Sequence, residues 1–437
     1  MSDETKVNRE RWIRRWLADT NPVLFSTYCI VAAFGTYFCM YAFRKPFTAA
    51  TYEDTVWLGI GFKTILVASQ VAGYTLSKFI GIKVVSEMPA RYRAVSILGL
   101  IGVAEIALLL FAATPAPWNF VWLFVNGLPL GMVFGLVLGF LEGRRVTEAL
   151  SAGLCASFIL ASGFVKSTGR SLIQDFSVDQ YWMPFFTGLI FVLPLLLFVW
   201  MLAQIPPPTS LDEAHRTKRV PMFRKQRQAF LKKHALGLVG LFLIYVLLTI
   251  VRSLRDDFAV EIWRDLGVDD EPTVFARSEF WVMLGVVVVN GMIILVRNNR
   301  NAFLLSIGLL CSGFLIMLMA IWGQQTGNLS PMVFMVILGL GMYIPYVAYH
   351  TTVFERMIAA FGDYATIGYL MYVADALGYL AYVSILIFRN TTSGSADFLK
   401  LTIWVTAVVA ISSLFVALLL MIHYFRKLPA TQHNGSQ

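Results

Sequence analysis

The chain is divided, almost from end to end, into about twelve apolar runs of roughly 20 residues, the length an α-helix needs to cross a hydrocarbon core. Their approximate limits are Val23–Phe43, Val56–Phe79, Ala94–Ala113, Trp118–Phe140, Ala149–Val165 and Tyr181–Leu202, then Leu236–Val251, Phe280–Val296, Ala302–Trp322, Met332–Tyr349, Ala365–Phe388 and Leu401–Tyr424. In lipid, backbone polar groups must be satisfied internally, so runs of this length are helices. Composition excludes a soluble protein. Of 437 residues 58% are hydrophobic and 14% charged, and mean hydropathy is +0.69. Soluble cores of this size cannot hide that much apolar surface. The expected fold class is all-α integral membrane, with twelve transmembrane helices in two six-helix halves.

The expected organisation is a basic arm, residues 1–22, a first half, 23–204, a linker, 205–233, a second half, 234–425, and a tail, 426–437. The linker opens with Pro206-Pro207-Pro208, which cannot continue a helix. It then carries Arg216, Lys218, Arg219, Arg224, Lys225, Arg227, Lys232 and Lys233, with Val220, Phe223, Phe230 and Leu231 interleaved at near-helical spacing. Two readings stand: a basic amphipathic helix on the inner lipid surface, or a solvated connector.

Lys and Arg set the orientation. Lys6, Arg9, Arg11, Arg14 and Arg15 fall on the same side as the linker, as do Lys83, Arg91, Arg93, Arg144, Arg145, Arg297, Arg300, Arg356, Arg426 and Lys427. The opposite loops are short and nearly uncharged, apart from Asp265, Asp269, Asp270 and Glu271. Both termini are expected in the cytoplasm, with the chain in a plasma or bacterial inner membrane. The net charge of +9 then reports topology. Membrane lipids and a small solute are the expected partners, nucleic acid is not, and the chain is expected to be a monomer. The first run lacks a small-residue cleavage site and reads as a first helix.

Enzymatic chemistry is not expected. Cys29, Cys39, Cys155 and Cys311 lie inside apolar runs without CxxC spacing, so neither a disulfide framework nor a zinc site is expected. Of the five histidines only His350 is near membrane depth. There is no Gly-rich phosphate loop, HExxH or GxSxG, and no cofactor or metal is expected.

Ionisable residues at membrane depth are costly and face a bundle interior or a cavity. These are Arg44 and Lys45 at the end of the first run, Lys63 and Lys78 in the second, Glu105 in the third and Lys166 closing the fifth. Arg252, Arg255, Asp256 and Asp257 follow the seventh, and Asp375 lies in the eleventh. Basic groups outnumber acids, and a cavity lined with surplus Arg and Lys selects anions. Arg suits phosphate or carboxylate because its planar fork donates two parallel hydrogen bonds.

Each position has a plainer alternative. Lys63 and Glu105 are placed to pair across neighbouring helices, and Arg255 to pair with Asp256, Asp257 or another external acid. Lys166 and Lys78 are each near enough to an interface to snorkel. Arg44 and Arg252 fall at corresponding places in the two halves and are the expected substrate contacts. Asp375 is either a proton carrier or an ion-pair partner. In the fourth run, Gly127, Gly131, Gly135, Gly139 and Gly143 recur every fourth residue, a stripe for close helix packing or for sliding. The fourth and tenth runs both carry a Gly/Pro break and end in Glu followed by Arg, at Glu142-Gly143-Arg144 and Glu355-Arg356.

Two six-helix halves with a basic linker resemble the major facilitator fold, whose halves are parallel repeats. Tyr41-Ala42-Phe43-Arg44-Lys45-Pro46-Phe47 resembles the first-helix motif of the organophosphate:phosphate antiporters, the glycerol-3-phosphate and hexose-phosphate transporters. Gly73-Tyr74-Thr75-Leu76-Ser77-Lys78-Phe79-Ile80-Gly81 is similar to their second-helix segment, and Val251-Arg252 with Asp257 to their seventh-helix arginine. Ala365–Tyr382 is similar to their eleventh helix. The resemblance implies that Arg44 and Arg252 bind phosphate, with Lys78 in support and Lys45 and Tyr41 beside them. The chain departs from that family where Phe158 or a neighbour replaces a fifth-helix histidine, and where Ser86-Glu87 through Arg91 replaces an Asp-Arg signature. Leu141 to Glu148, and Ser157-Phe158-Ile159 through Lys166, more closely resemble a bacterial family of twelve-helix proteins without assigned function. The leading expectation is a secondary transporter of a small organic anion, phosphorylated in the leading case, working by alternating access as an antiporter or symporter. The alternatives are a non-transporting sensor on a transporter fold and a proton-coupled exporter of another solute. An exporter would use Glu105 or Asp375 as its substrate-facing charge.

Overall fold

Backbone groups without water must bond one another, and this chain meets that demand with helices nearly throughout. The computed structural model describes residues 12–53, 55–141, 147–207, 230, 232–268, 271–361, 367–390 and 397–428. Gly143, Arg144, Arg145, Asp269, Asp270, most of the linker and the first eleven residues lie outside the described residues. The helices are α1 Pro22–Tyr41, α2 Phe62–Glu87, α3 Ala90–Ala113, α4 Phe120–Leu141, α5 Thr147–Gln174 and α6 Met183–Ala203. They continue as α7 Ala235–Asp257, α8 Ala259–Asp265, α9 Val274–Ile294, α10 Asn299–Gln325, α11 Pro331–Ala348, α12 Phe354–Phe361, α13 Ile367–Asn390 and α14 Phe398–Lys427.

Local sequence explains where several begin. Asn21 caps α1 by accepting from Val23 N at 2.8 Å, with Pro22 in the first turn. Asn298, Ser330 and Asp397 cap α10, α11 and α14 in the same way. Hydrogen bonds from Lys400, backbone first, hold the Asp397 carboxyl below its ordinary range.

Among the described residues, eleven helical segments are long and apolar enough to cross a membrane, α11 through α12 counting as one. The remaining expected span, α2, has 26 residues but carries Lys63, Lys78 and Lys83. Large apolar side chains such as Leu193, Trp404 and Phe415 stand exposed on these helices, as lipid-facing residues must. The protein is an integral membrane protein.

Several expected boundaries change: α5 runs on past Lys166 to Gln174, α2 past Phe79 to Glu87, and α9 begins at Val274. Three further changes alter the local structure. Val56 does not begin a helix: Val56–Trp57 and Ile60–Gly61 form an antiparallel hairpin. Its turn residues, Leu58 and Gly59, have φ of 54° and 76°, the left-handed geometry that two-residue hairpin turns require. The seventh run does not stop at Val251. Helix α7 continues to Asp257, burying Arg252, Arg255, Asp256 and Asp257. The tenth run does not end at Tyr349 but passes through a π-helical turn, Tyr349–Val353, into α12.

Contacts divide the described residues into two compact units. One lies within Met1–Lys218, Asp270–Glu279 and Val383–Gly394, the other within Arg219–Asp269, Phe280–Tyr382 and Ser395–Gln437. In the first, α2 and α4 meet through glycine. A Cβ on Gly73 would overlap Phe124 O, and one on Gly127 would overlap Gln70 O and stand 2.8 Å from Tyr74 N. Gly131 meets Ser77 of α2, whereas Gly139 meets Arg93 of α3, so the glycine stripe serves two neighbours. Gly127→Ala should destabilise the protein by about 1–3 kcal/mol, because the blocking atoms are backbone and cannot give. Gly99→Ala, which enters open space, should not. Thermal unfolding of both variants in detergent checks the contrast.

Candidate functional site

Helix α1 ends inside the first unit, where bare carbonyls would be costly. Turns from Arg44 N to Tyr41 O and Phe43 N to Met40 O tighten the end, and Pro46 then starts a 3₁₀ turn. Two side chains from other helices close the gap. Asn126 of α4 donates to Phe43 O at 2.9 Å and to Ala104 O at 3.0 Å. Gln70 of α2 donates to Arg44 O at 2.5 Å and to Asn126 Oδ1 at 2.8 Å. The backbone of Arg44 is thereby pinned.

Its side chain is laid on tyrosine. The guanidinium carbon lies 3.8 Å from the ring centre of Tyr74 and 5.7 Å from that of Tyr41. Lys78, one turn beyond Tyr74, has its ammonium 5.2 Å from the same Tyr74 ring and 5.8 Å from Phe134. Arg44 and Lys78 are each only 3% exposed. Lys78 therefore does not snorkel to an interface. Nor does Lys166, which is 2% exposed and donates to Ser162 Oγ at 2.6 Å. Lys63 donates to Thr48 O at 2.9 Å, and Thr48 Oγ1 to Lys45 O at 2.7 Å. The expected Lys63–Glu105 pair is not formed. Both carboxylate oxygens of Glu105 are buried without a hydrogen-bond partner, against Gly188 of α6, where the missing Cβ makes room.

The second unit builds its arginine site from α7, α11 and α13. Arg252 lies with its guanidinium carbon 4.5 Å from the ring centre of Tyr346 and donates to Tyr379 OH at 3.1 Å. Tyr245 donates to Asp375, and its ring stacks on Tyr346 at 5.5 Å. His350, on the π turn, packs its ring at a tilt against Tyr346, centres 4.6 Å apart, with Nδ1 2.9 Å from Tyr346 O. One turn farther along α7, Arg255 donates to Met335 O at 2.9 Å, and Asp257 accepts from Tyr382 OH at 3.0 Å.

The structure thus gathers Tyr41, Arg44 and Lys78 in one unit, and Arg252 with Asp375 in the other. It leaves Glu105 and Lys166 outside these groups. Tyr41 was expected beside Arg44, whereas Tyr74, Tyr245, Tyr346, Tyr379, Gln70 and Asn126 were not singled out from sequence. Their signal was available: polar-tipped residues within apolar runs need a partner in lipid, and Tyr343, Tyr346 and Tyr349 recur every third residue on one helix. The four cysteines are buried, and none is joined in a disulfide.

A family profile described as a family of unknown function, DUF5690, matches residues 46–428. No curated protein matches the sequence. Among solved structures, the crystal structure of a D-xylose-proton symporter is similar at a TM-score of 0.55 and 15% identity, over 90% of this chain and 97% of that one. That similarity establishes the major facilitator fold.

The polar partners set distinct stability costs. Tyr245→Phe removes a donor from the buried Asp375 carboxyl and should lower stability by about 1–3 kcal/mol. Glu105→Gln removes a carboxylate that no hydrogen bond supports and should cost nothing or raise the thermal midpoint. Unfolding of the two variants in one detergent distinguishes them; a clear loss in Glu105→Gln would show a stabilising partner.

Proposed function

The chain belongs to the DUF5690 family and has the major facilitator fold, and from its two arginine–tyrosine groups we propose a secondary transporter of a small organic anion. The leading substrate class is a phosphorylated metabolite, carried by alternating access, with both termini in the cytoplasm. One observation carries the reading: Arg44 and Lys78 bear on the single ring of Tyr74. Two unit charges less than ~10 Å apart repel by about 1.7 kcal/mol or more at an effective dielectric of ~20. An anion beside them turns that repulsion into attraction. A dianionic phosphate gains from both charges, and the guanidinium supplies paired donors that an ammonium cannot.

In the second unit, Arg252 repeats the arrangement on Tyr346. Cation–π contact orients the guanidinium plane and leaves its formal charge intact. Lys45 and Tyr41 border Arg44 and complete the proposed anion contacts on that side.

The reading requires that substrate favour some conformations over others, since equal affinity for all shifts nothing. Arg44→Lys and Arg252→Lys keep the charge but lose the planar fork, and each should weaken phosphate-ester binding by about tenfold or more. Lys78→Ala should weaken it less. A thermal-shift screen of purified protein against glycerol phosphate, hexose phosphates, inorganic phosphate, carboxylates and cationic drugs gives the binding arm. Flux into proteoliposomes gives the transport arm. Anion binding unchanged in both arginine variants would sink the proposal, and binding without flux would make the protein a sensor.

A further inference from the structure

Ahead of α1 the chain forms one more helix, over residues 12–19. Asn21 and Pro22 then start α1, so this helix stands where a membrane span begins. A second span ends beside it. Arg14 donates to the carbonyl of Ala203, the last residue of α6, at 2.9 Å. Tyr28 of α1 donates to Met201 O, in the same last turn, at 3.0 Å. Carbonyls in a last helical turn lack intrahelical partners, and a basic side chain there also meets the negative end of the helix dipole. Ile13 and Leu17, one turn apart, form the inward face of the short helix, with Ile13 half-buried and Leu17 1% exposed. Trp12 and Trp16, also one turn apart, form the adjoining face and are 64% and 42% exposed. Arg15 is exposed and flanks the tryptophans on the side away from Leu17.

We propose that this helix is a docking surface for anionic phospholipid, with Trp12 and Trp16 seated among the headgroups and Arg15 paired with a lipid phosphate. The proposal does not depend on the anion reading of Arg44 and Arg252. Position argues for lipid, because an element tied to the start of one span and the end of another borders the headgroup layer. Side-chain chemistry argues the same. Indole combines an apolar body with one N–H donor and favours the membrane–water interface. A helix with tryptophan on one face and arginine beside it lies in the plane of that interface. Charge argues for an anionic lipid over a zwitterionic one. Arg9, Arg11, Arg14 and Arg15 fall within one short stretch whose single acid is Glu10. Each basic group close to the surface attracts anionic lipid. Arg14 is engaged by Ala203 O, and Arg15 stands beside the tryptophans.

The test uses the full-length protein in nanodiscs of mixed phosphatidylcholine and phosphatidylglycerol. The native cysteines are buried, so a nitroxide can be attached at Trp16→Cys and, for reference, at Ala18→Cys. Lipid-soluble oxygen should dominate relaxation of the label at position 16, and a water-soluble nickel chelate that at position 18. Two labels equally open to the chelate overturn the proposal. So does a label at position 16 shielded from both reagents, which would put a protein partner or a second copy on that face. Charge is tested with a fluorophore at Ala18→Cys, quenched by phosphatidylglycerol that carries a nitroxide and competed with phosphatidylcholine. Arg15→Gln should lower the preference for phosphatidylglycerol by about fivefold, the effect of one interfacial basic residue. Lys400→Gln, an exposed lysine in the first turn of α14, should leave it unchanged. No preference in the wild-type protein, or an equal loss in both variants, overturns the proposal. Neither readout involves substrate, so failure of the anion reading leaves this one standing.

Discussion

Lipid offers no hydrogen bonds, and the architecture around Arg44 follows from that constraint. Ending α1 inside the first unit strands the carbonyls of Phe43 and Arg44, each costly if left bare. Gln70 and Asn126 remove the penalty together, because each also bonds the other. For Gln70 and Asn126 to reach those carbonyls, α2 and α4 must approach closely. Gly73 and Gly127 permit it by leaving no Cβ between the two backbones. The glycine contact, the amide pair and the helix break are thus one device, and its product is a fixed arginine.

The two units treat buried charge differently. The first buries five cations, Arg44, Lys45, Lys63, Lys78 and Lys166, and the acid Glu279. The second sets Arg252 and Arg255 among Asp256, Asp257, Glu261 and Asp375. The first unit therefore carries an excess of buried positive charge. In the second unit the signs are mixed, so buried charges can compensate one another.

The spans were legible because hydrophobic length is a one-dimensional property. Irregularities were less so. Val56 to Ile60 is apolar enough to read as helix, and only the left-handed turn at Leu58-Gly59 makes it a hairpin. The charges from Arg252 to Asp257 looked like a helix end because their partners, Tyr379, Met335 O and Tyr382, come from elsewhere in the chain. Lys63 and Glu105 lie on helices consecutive in sequence, but α2 and α3 both pack mainly on α4. The sequence order of two spans does not determine which helices become neighbours. Arg44 and Arg252 were legible as residues, while the tyrosines beneath them were not, since a tyrosine in an apolar run looks like packing until the cation above it is located.

On the anion reading proposed above, tyrosine is a fitting support for an arginine. A carboxylate would hold the guanidinium more firmly, but it would occupy the fork that phosphate needs and cancel part of the charge that attracts it. The face of a phenol attracts through its quadrupole, worth about 0.5–2 kcal/mol, and occupies none of the five donors. The rings of Tyr74 and Tyr346 lie 3.8 and 4.5 Å from the two guanidinium carbons. The hydroxyls add a second function. Tyr245 donates to Asp375 while Tyr379 accepts from Arg252, so the same residue type serves acid and base within one unit. That dual capacity lets neutral side chains satisfy a buried arginine and a buried carboxylate while adding no charge of their own.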